Sequence, residues 1–126
     1  WSWYIVNDQI DQALANGEYT VAEQAIAQID SEDVRFYYRC CLIWRTKGVD
    51  QALRQITTGL RYFKNSAEVW GLYALLQHEK GNVMAAIGGY RKAVGIHQTE
   101  PVLLSNFGIA LMEVGALEEQ VGEAIL

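Results

Sequence analysis

Residues 67–93 read AEVWGLYALLQHEKGNVMAAIGGYRKA, an apolar run, a Lys-Gly-Asn turn and a second apolar run. Before the turn, Trp70, Tyr73, Ala74 and Gln77 recur at i, i+3, i+4 and i+7, the spacing of one helix face. After it, Ala86, Tyr90 and Ala93 continue the same period. Working outward, the turn repeats as Asn16-Gly17-Glu18-Tyr19, Lys47-Gly48-Val49-Asp50, Lys80-Gly81-Asn82-Val83 and Val114-Gly115-Ala116-Leu117, at intervals of 31, 33 and 34 residues. A fixed period of this length signals stacked supersecondary units, each unable to bury its apolar face alone. Four helix-turn-helix units are predicted, near 1–31, 32–65, 66–98 and 99–126, in a single all-α domain.

Helix limits have local causes. Ser31 before Glu32 and Asp33, and Ser66 before Glu68, put a hydroxyl where free backbone N–H groups need an acceptor and carboxylates where the helix dipole is positive. Thr99, Glu100 and Pro101 repeat this, with proline in the first turn, where its missing N–H costs nothing. The predicted helices run near 2–15, 19–29, 32–46, 50–63, 67–79, 83–96, 100–113 and 116–125. Trp70 is expected to be the buried aromatic at the centre of the array.

Composition excludes several functions. With 51% hydrophobic and 20% charged residues in 126, the chain can fill a core. Charged or amide residues interrupt every apolar stretch well short of the roughly 18 residues of a membrane span. A net charge of −5 argues against binding nucleic acid, whose phosphates are met by many Lys and Arg side chains. The two cysteines, Cys40 and Cys41, are adjacent and form neither a spaced disulfide framework nor a zinc ligand set. They favour a reducing, cytoplasmic setting, and a periplasmic one stays open if a parent chain carries a signal or anchor. The start at Trp1, without methionine or a signal-like core, reads as a piece of a longer chain.

The pattern of residues 67–93 resembles the tetratricopeptide repeat, a helical pair of 34 residues with large apolar groups at unit positions 4 and 7 and small ones at 8 and 20. With Ala67 first, Trp70 is fourth, Ala74 eighth, Gly81 fifteenth, Ala86 twentieth, Tyr90 twenty-fourth and Ala93 twenty-seventh. The second unit supplies Tyr37, Cys41 and Trp44, then Ala52, Leu53, Ile56, Gly59 and Leu60, with a loop one residue short. The fourth supplies Leu104, Phe107, Gly108, Leu111, Gly115 and Leu117, but Gln120 stands where a small residue belongs. The first shows Gly17, Tyr19, Ala22 and Ile26 behind a poorly matching first helix. The resemblance covers nearly the whole chain and implies a right-handed α-solenoid, in which Ala74, Ala86 and Gly108 let paired helices approach.

The resemblance also implies a non-catalytic scaffold that captures a peptide of another protein in a groove lined by the first helices. Carried over by unit position, the groove residues are Arg35, Tyr38, Arg39, Leu42 and Arg45 in the second unit, Leu72, Leu75 and His78 in the third, and Asn106 and Ile109 in the fourth. Three arginines on one face suit an acidic segment, because guanidinium forks bind carboxylates in a bidentate way. A one-residue rotation would instead turn them to solvent, paired with Glu32 or Asp33. The Lys, Asn, Asn, Lys and Arg set of the family's dicarboxylate clamp is absent.

No residue set points to catalysis, a metal or another cofactor. His78 and His97, the only histidines, lie in different predicted helices without carboxylate or cysteine at metal-ligand spacing, and Gly88-Gly89 lacks the rest of a phosphate loop. Cys41 is expected to pack as the small residue of its helix pair. At the ends, Trp1, Trp3 and Tyr4 are expected in the core. Leu117, Val121 and Ile125 form an apolar stripe through which copies could stack, so self-assembly into dimers or larger arrays is the alternative function.

Overall fold

A computed structural model describes the backbone of residues 8–97 and 101–125, and side chains up to Gly115. It contains α1 (Asp8–Ala15), α2 (Tyr19–Ala27), α3 (Glu32–Lys47), α4 (Val49–Gly59), α5 (Ala67–Glu79), α6 (Val83–Ile96) and α7 (Pro101–Ile125), with no strand among the described residues. The fold is all-α. Trp1, Trp3, Tyr4 and Thr99, and the side chains of Leu117, Val121 and Ile125, lie outside what the structure describes.

Three of the four expected turns form. Gly17, Gly48 and Gly81 take φ of 75°, 97° and 86°, a region costly for any residue with a Cβ. The fourth does not: α7 runs unbroken through Gly115 to Ile125. Three helix pairs are therefore followed by one long unpaired helix. Glycine permits a turn without compelling one, and a turn persists only where the returning helix gains burial.

The caps divide similarly. Ser66 is buried, and its hydroxyl accepts from the Val69 amide at 3.3 Å while donating to Glu68 Oε2 at 3.0 Å. Ser31 makes no cap bond to the backbone, because its hydroxyl donates to the Asp33 carboxylate instead. Helix α4 stops at Gly59, four residues before the predicted end. There the Phe36 ring lies against the glycine backbone, where a methyl group would sit 2.1 Å from Phe36 Cζ, and stacks on Phe63 with ring centres 5.1 Å apart.

The core falls into two clusters that meet at α5. Ile10, Leu14, Ile26, Tyr37, Tyr38 and Ile56 pack with Val69, Leu72 and Leu76 on one side, whereas Ala74 packs with Ala86, Tyr90, Leu103 and Ala110 on the other. An α5 that is apolar almost all round follows from having neighbours on both sides. The close approach of α5 and α6 rests on small residues, since a methyl group on Gly89 would lie 2.9 Å from both Ala74 Cβ and Tyr73 Cδ1. Trp70 is only half-buried, its indole N–H bonded to the Lys64 carbonyl at 2.8 Å. Among the described residues the fully buried aromatics are Tyr37, Tyr38 and Tyr90.

Each helix packs on its chain neighbours, and in addition α3 packs on α5 and α5 on α7. Among the described residues no two even-numbered helices pack as extensively as α3 on α5. The odd-numbered helices from α3 onward therefore lie side by side.

Candidate functional site

Helix α3 buries Val34, Tyr37, Tyr38, Cys40 and Cys41, which leaves Arg39 and Arg45 exposed and Leu42 half-buried. The arginines behave differently from one another. Arg35 Nη1 donates to the Ile29 carbonyl at 2.6 Å, so this side chain ties α3 to the loop that precedes it. Arg39 is in no ion pair among the described residues. With Leu42 and Ile43 it lines a recess of about 280 Å³, closed on the other side by Glu23, Ile26 and Ala27 of α2.

Two expected groove residues are core residues. Tyr38 is fully buried, its ring edge-on to Tyr37 at 5.0 Å, in one cluster with Ile10 and Leu14 of α1. Burial raises the pKa of Asp11 on α1, and the neighbouring Tyr38 hydroxyl offsets this in part. Leu72 is also fully buried, because it packs into the cluster that joins α3 to α5. Both were assigned by unit position, and both face helices two elements away in the chain. The core cluster shared by α1 to α5 covers them. Leu75, one turn on from Leu72, stays half-buried.

His78 belongs to a cluster that fastens α7. Its Nε2 lies 2.9 and 3.0 Å from the two Glu113 carboxylate oxygens, and its Nδ1 lies 3.5 Å from the Tyr90 hydroxyl. The Tyr90 ring stacks on Phe107 with centres 6.2 Å apart. Burial, and then the charge of Glu113, pushes the Tyr90 phenol up to about 12, so it is protonated and can donate toward His78. Asn106 is half-buried on α7, and Ile109 is 43% exposed. The expected residues thus form two groups, Arg39 and Leu42 against α2, and His78 with α7. Glu113 has no local signal of its role, since its partner lies 35 residues away.

No family model and no curated protein matches the sequence.

Other chemistry is limited by what surrounds the groups. Burial pushes the Cys40 thiol up to about 12 and raises Cys41 further above its ordinary range, so neither is a thiolate nucleophile near neutral pH. No group of three or more His, Cys, Asp or Glu side chains suited to a metal occurs among the described residues. No helix there is long and apolar enough to cross a membrane. A recess of about 690 Å³ that sequence reasoning missed lies between α4 and α5. Several of its polar groups are already engaged: Lys80 Nζ meets Asp50 Oδ1 at 2.8 Å, and the Thr57 and Thr58 hydroxyls donate to the Leu53 and Arg54 carbonyls.

The remaining unusual surface is on α7. Leu103 and Ala110 are buried, with Phe107 and Val114 packed beside them, at the spacing of one helix face. Away from that face, Leu104 and Leu111 are each 42% exposed, and Met112 is 68% exposed.

Proposed function

We propose that the chain is a non-catalytic scaffold, a right-handed solenoid of tetratricopeptide-like helix pairs that holds a segment of a partner protein along its odd-numbered helices. The observation that supports this is the packing of α3 on α5 and α5 on α7, without a comparable row of even helices. A stack whose first helices touch while its second helices diverge curves toward the first helices and makes them the concave side. Leu42, Leu75 and Ile109, at equivalent places in α3, α5 and α7, keep apolar surface accessible on these helices. Arg39 and Arg45 are exposed at the α3 end, which suits a segment with carboxylates there. The helices are already ordered, so binding costs little beyond fixing the ligand.

The test is fluorescence-anisotropy titration with two extended peptides of about twelve residues, one alternating Leu with Asp and the other Leu with Lys. The Asp peptide should bind, and Arg39→Glu with Arg45→Glu should weaken it at least about tenfold, or 1.4 kcal/mol. Leu75→Asp should weaken it comparably. Equal binding of both peptides, or an affinity insensitive to all three substitutions, would reject the groove.

A further inference from the structure

Helices α5 and α7 can be compared residue by residue, 34 positions apart: Trp70 with Leu104, Ala74 with Gly108, Gln77 with Leu111. On α5 this face carries α6, and Ala74 is fully buried beneath the Gly89 backbone. On α3 its counterparts Tyr37 and Cys41 are likewise fully buried. On α7 no helix returns among the described residues. Leu104 and Leu111 are exposed, and a methyl group on Gly108 would meet nothing within 4 Å. Gly108 is helical without positive φ, so its lack of a side chain serves neither a turn nor any contact among the described residues. Glycine inside a helix sacrifices stability, and the usual compensation is close approach of another backbone.

We propose that this face of α7 docks one helix of a partner protein, apolar on the side it buries and flanked by lysine or arginine. Charge selects that occupant. Residues 101–126 contain Glu113, Glu118, Glu119 and Glu123 and no Lys, Arg or His. A second copy of α7 would bring four more glutamates, and α1 of another copy would bring Asp8 and Asp11 in its first turn. Like charges across an interface oppose pairing, whereas cations on the rim of the incoming helix complement it. The chain's own residues 116–126 are a poor cover. In the register of the earlier pairs they set Gln120 where Ala22, Ala52 and Ala86 are each fully buried. The incoming helix would take the place that α6 takes on α5.

Leu111→Cys in the full chain tests this, because Cys40 and Cys41 are buried and the introduced thiol would be the one alkylated. The probes are two helical peptides of about sixteen residues, built from Leu, Ala and Lys or from Leu, Ala and Glu. Rapid alkylation of the free chain, slowed by the Lys peptide and not by its Glu twin, is expected. In the otherwise unmodified chain, Gly108→Leu and Leu111→Glu should each weaken the Lys peptide at least about tenfold without lowering the melting temperature. Added salt should weaken it too. Equal binding of both peptides, or fast alkylation with no binding of the Lys peptide, would overturn the proposal. So would slow alkylation of the free chain, with light scattering then separating a second copy (a dimer) from cover by the same chain (a monomer).

Discussion

Helix α5 with α6, and helix α7 without a counterpart, share a sequence pattern and differ in outcome. Both first helices carry large apolar residues around a small one, and both are followed by a glycine at the same distance. In the α5–α6 pair the returning helix offers Ala86 and Gly89, so the backbones close to contact and Tyr90 is sealed beneath. Within α7 the corresponding place holds Gln120, and the helix continues unbroken to Ile125. A repeat motif therefore specifies a helix pair only when both helices carry matching small residues. Half of the motif leaves an open face.

The widest separation between the two regions should come from deleting large side chains. Tyr90→Ala should cost about 3–5 kcal/mol, because it empties a fully buried site between α5, α6 and α7. Leu104→Ala, on the open face, should change stability by less than about 0.5 kcal/mol. Urea denaturation of the two variants measures the contrast, and equal losses would mean that the α7 face is covered.

Glycine substitutions should differ in sign. Gly89→Ala places a methyl group 2.9 Å from Ala74 Cβ and should destabilise by about 1–3 kcal/mol. Gly108→Ala meets nothing within 4 Å and should stabilise by up to about 1 kcal/mol through helix propensity. Thermal melts of both proteins provide the check.

A smaller effect should come from the tie between the regions. Glu113→Gln removes the charge that meets His78, and because Glu113 is half exposed the loss should not exceed about 1 kcal/mol. A larger loss would make the cluster, and not apolar packing, the main support of α7.

The smallest effect should lie far from both, at Asp11. Its pKa is raised in the folded protein, so its unfavourable contribution is absent below the ordinary value of 3.8 and develops as pH rises through the folded value. Asp11→Asn should therefore stabilise the fold slightly at pH 7, by less than about 1 kcal/mol, with the gain vanishing in acid. Urea midpoints at the two pH values measure it, and a gain that survives in acid would exclude the carboxylate charge as its source.

Legibility followed the range of the forces involved. Helices α1 to α6 and the turns at Gly17, Gly48 and Gly81 were readable, because spacing and glycine act within a few residues. The early end of α4 was not, and the ring packed against its last residue, Gly59, comes from Phe36 on another helix. Trp70 was placed too deep and Tyr38 and Leu72 too shallow, because burial depends on which helices lie side by side. In the candidate site, Arg39 is exposed and Leu42 half-buried. The place of Arg35 was not readable, because its bond to Ile29 depends on the path of a loop.

By itself the sequence determined the all-helical class, the positions of three turns and the apolar faces that had to be buried, all consequences of local backbone preference and periodic burial. Tertiary structure alone decided that α5 is covered on two sides, that Tyr38 packs with α1 and His78 meets Glu113, and that no helix among the described residues covers the face of α7. Those outcomes depend on which helix arrives, and how closely, and no single helix encodes that in its own period.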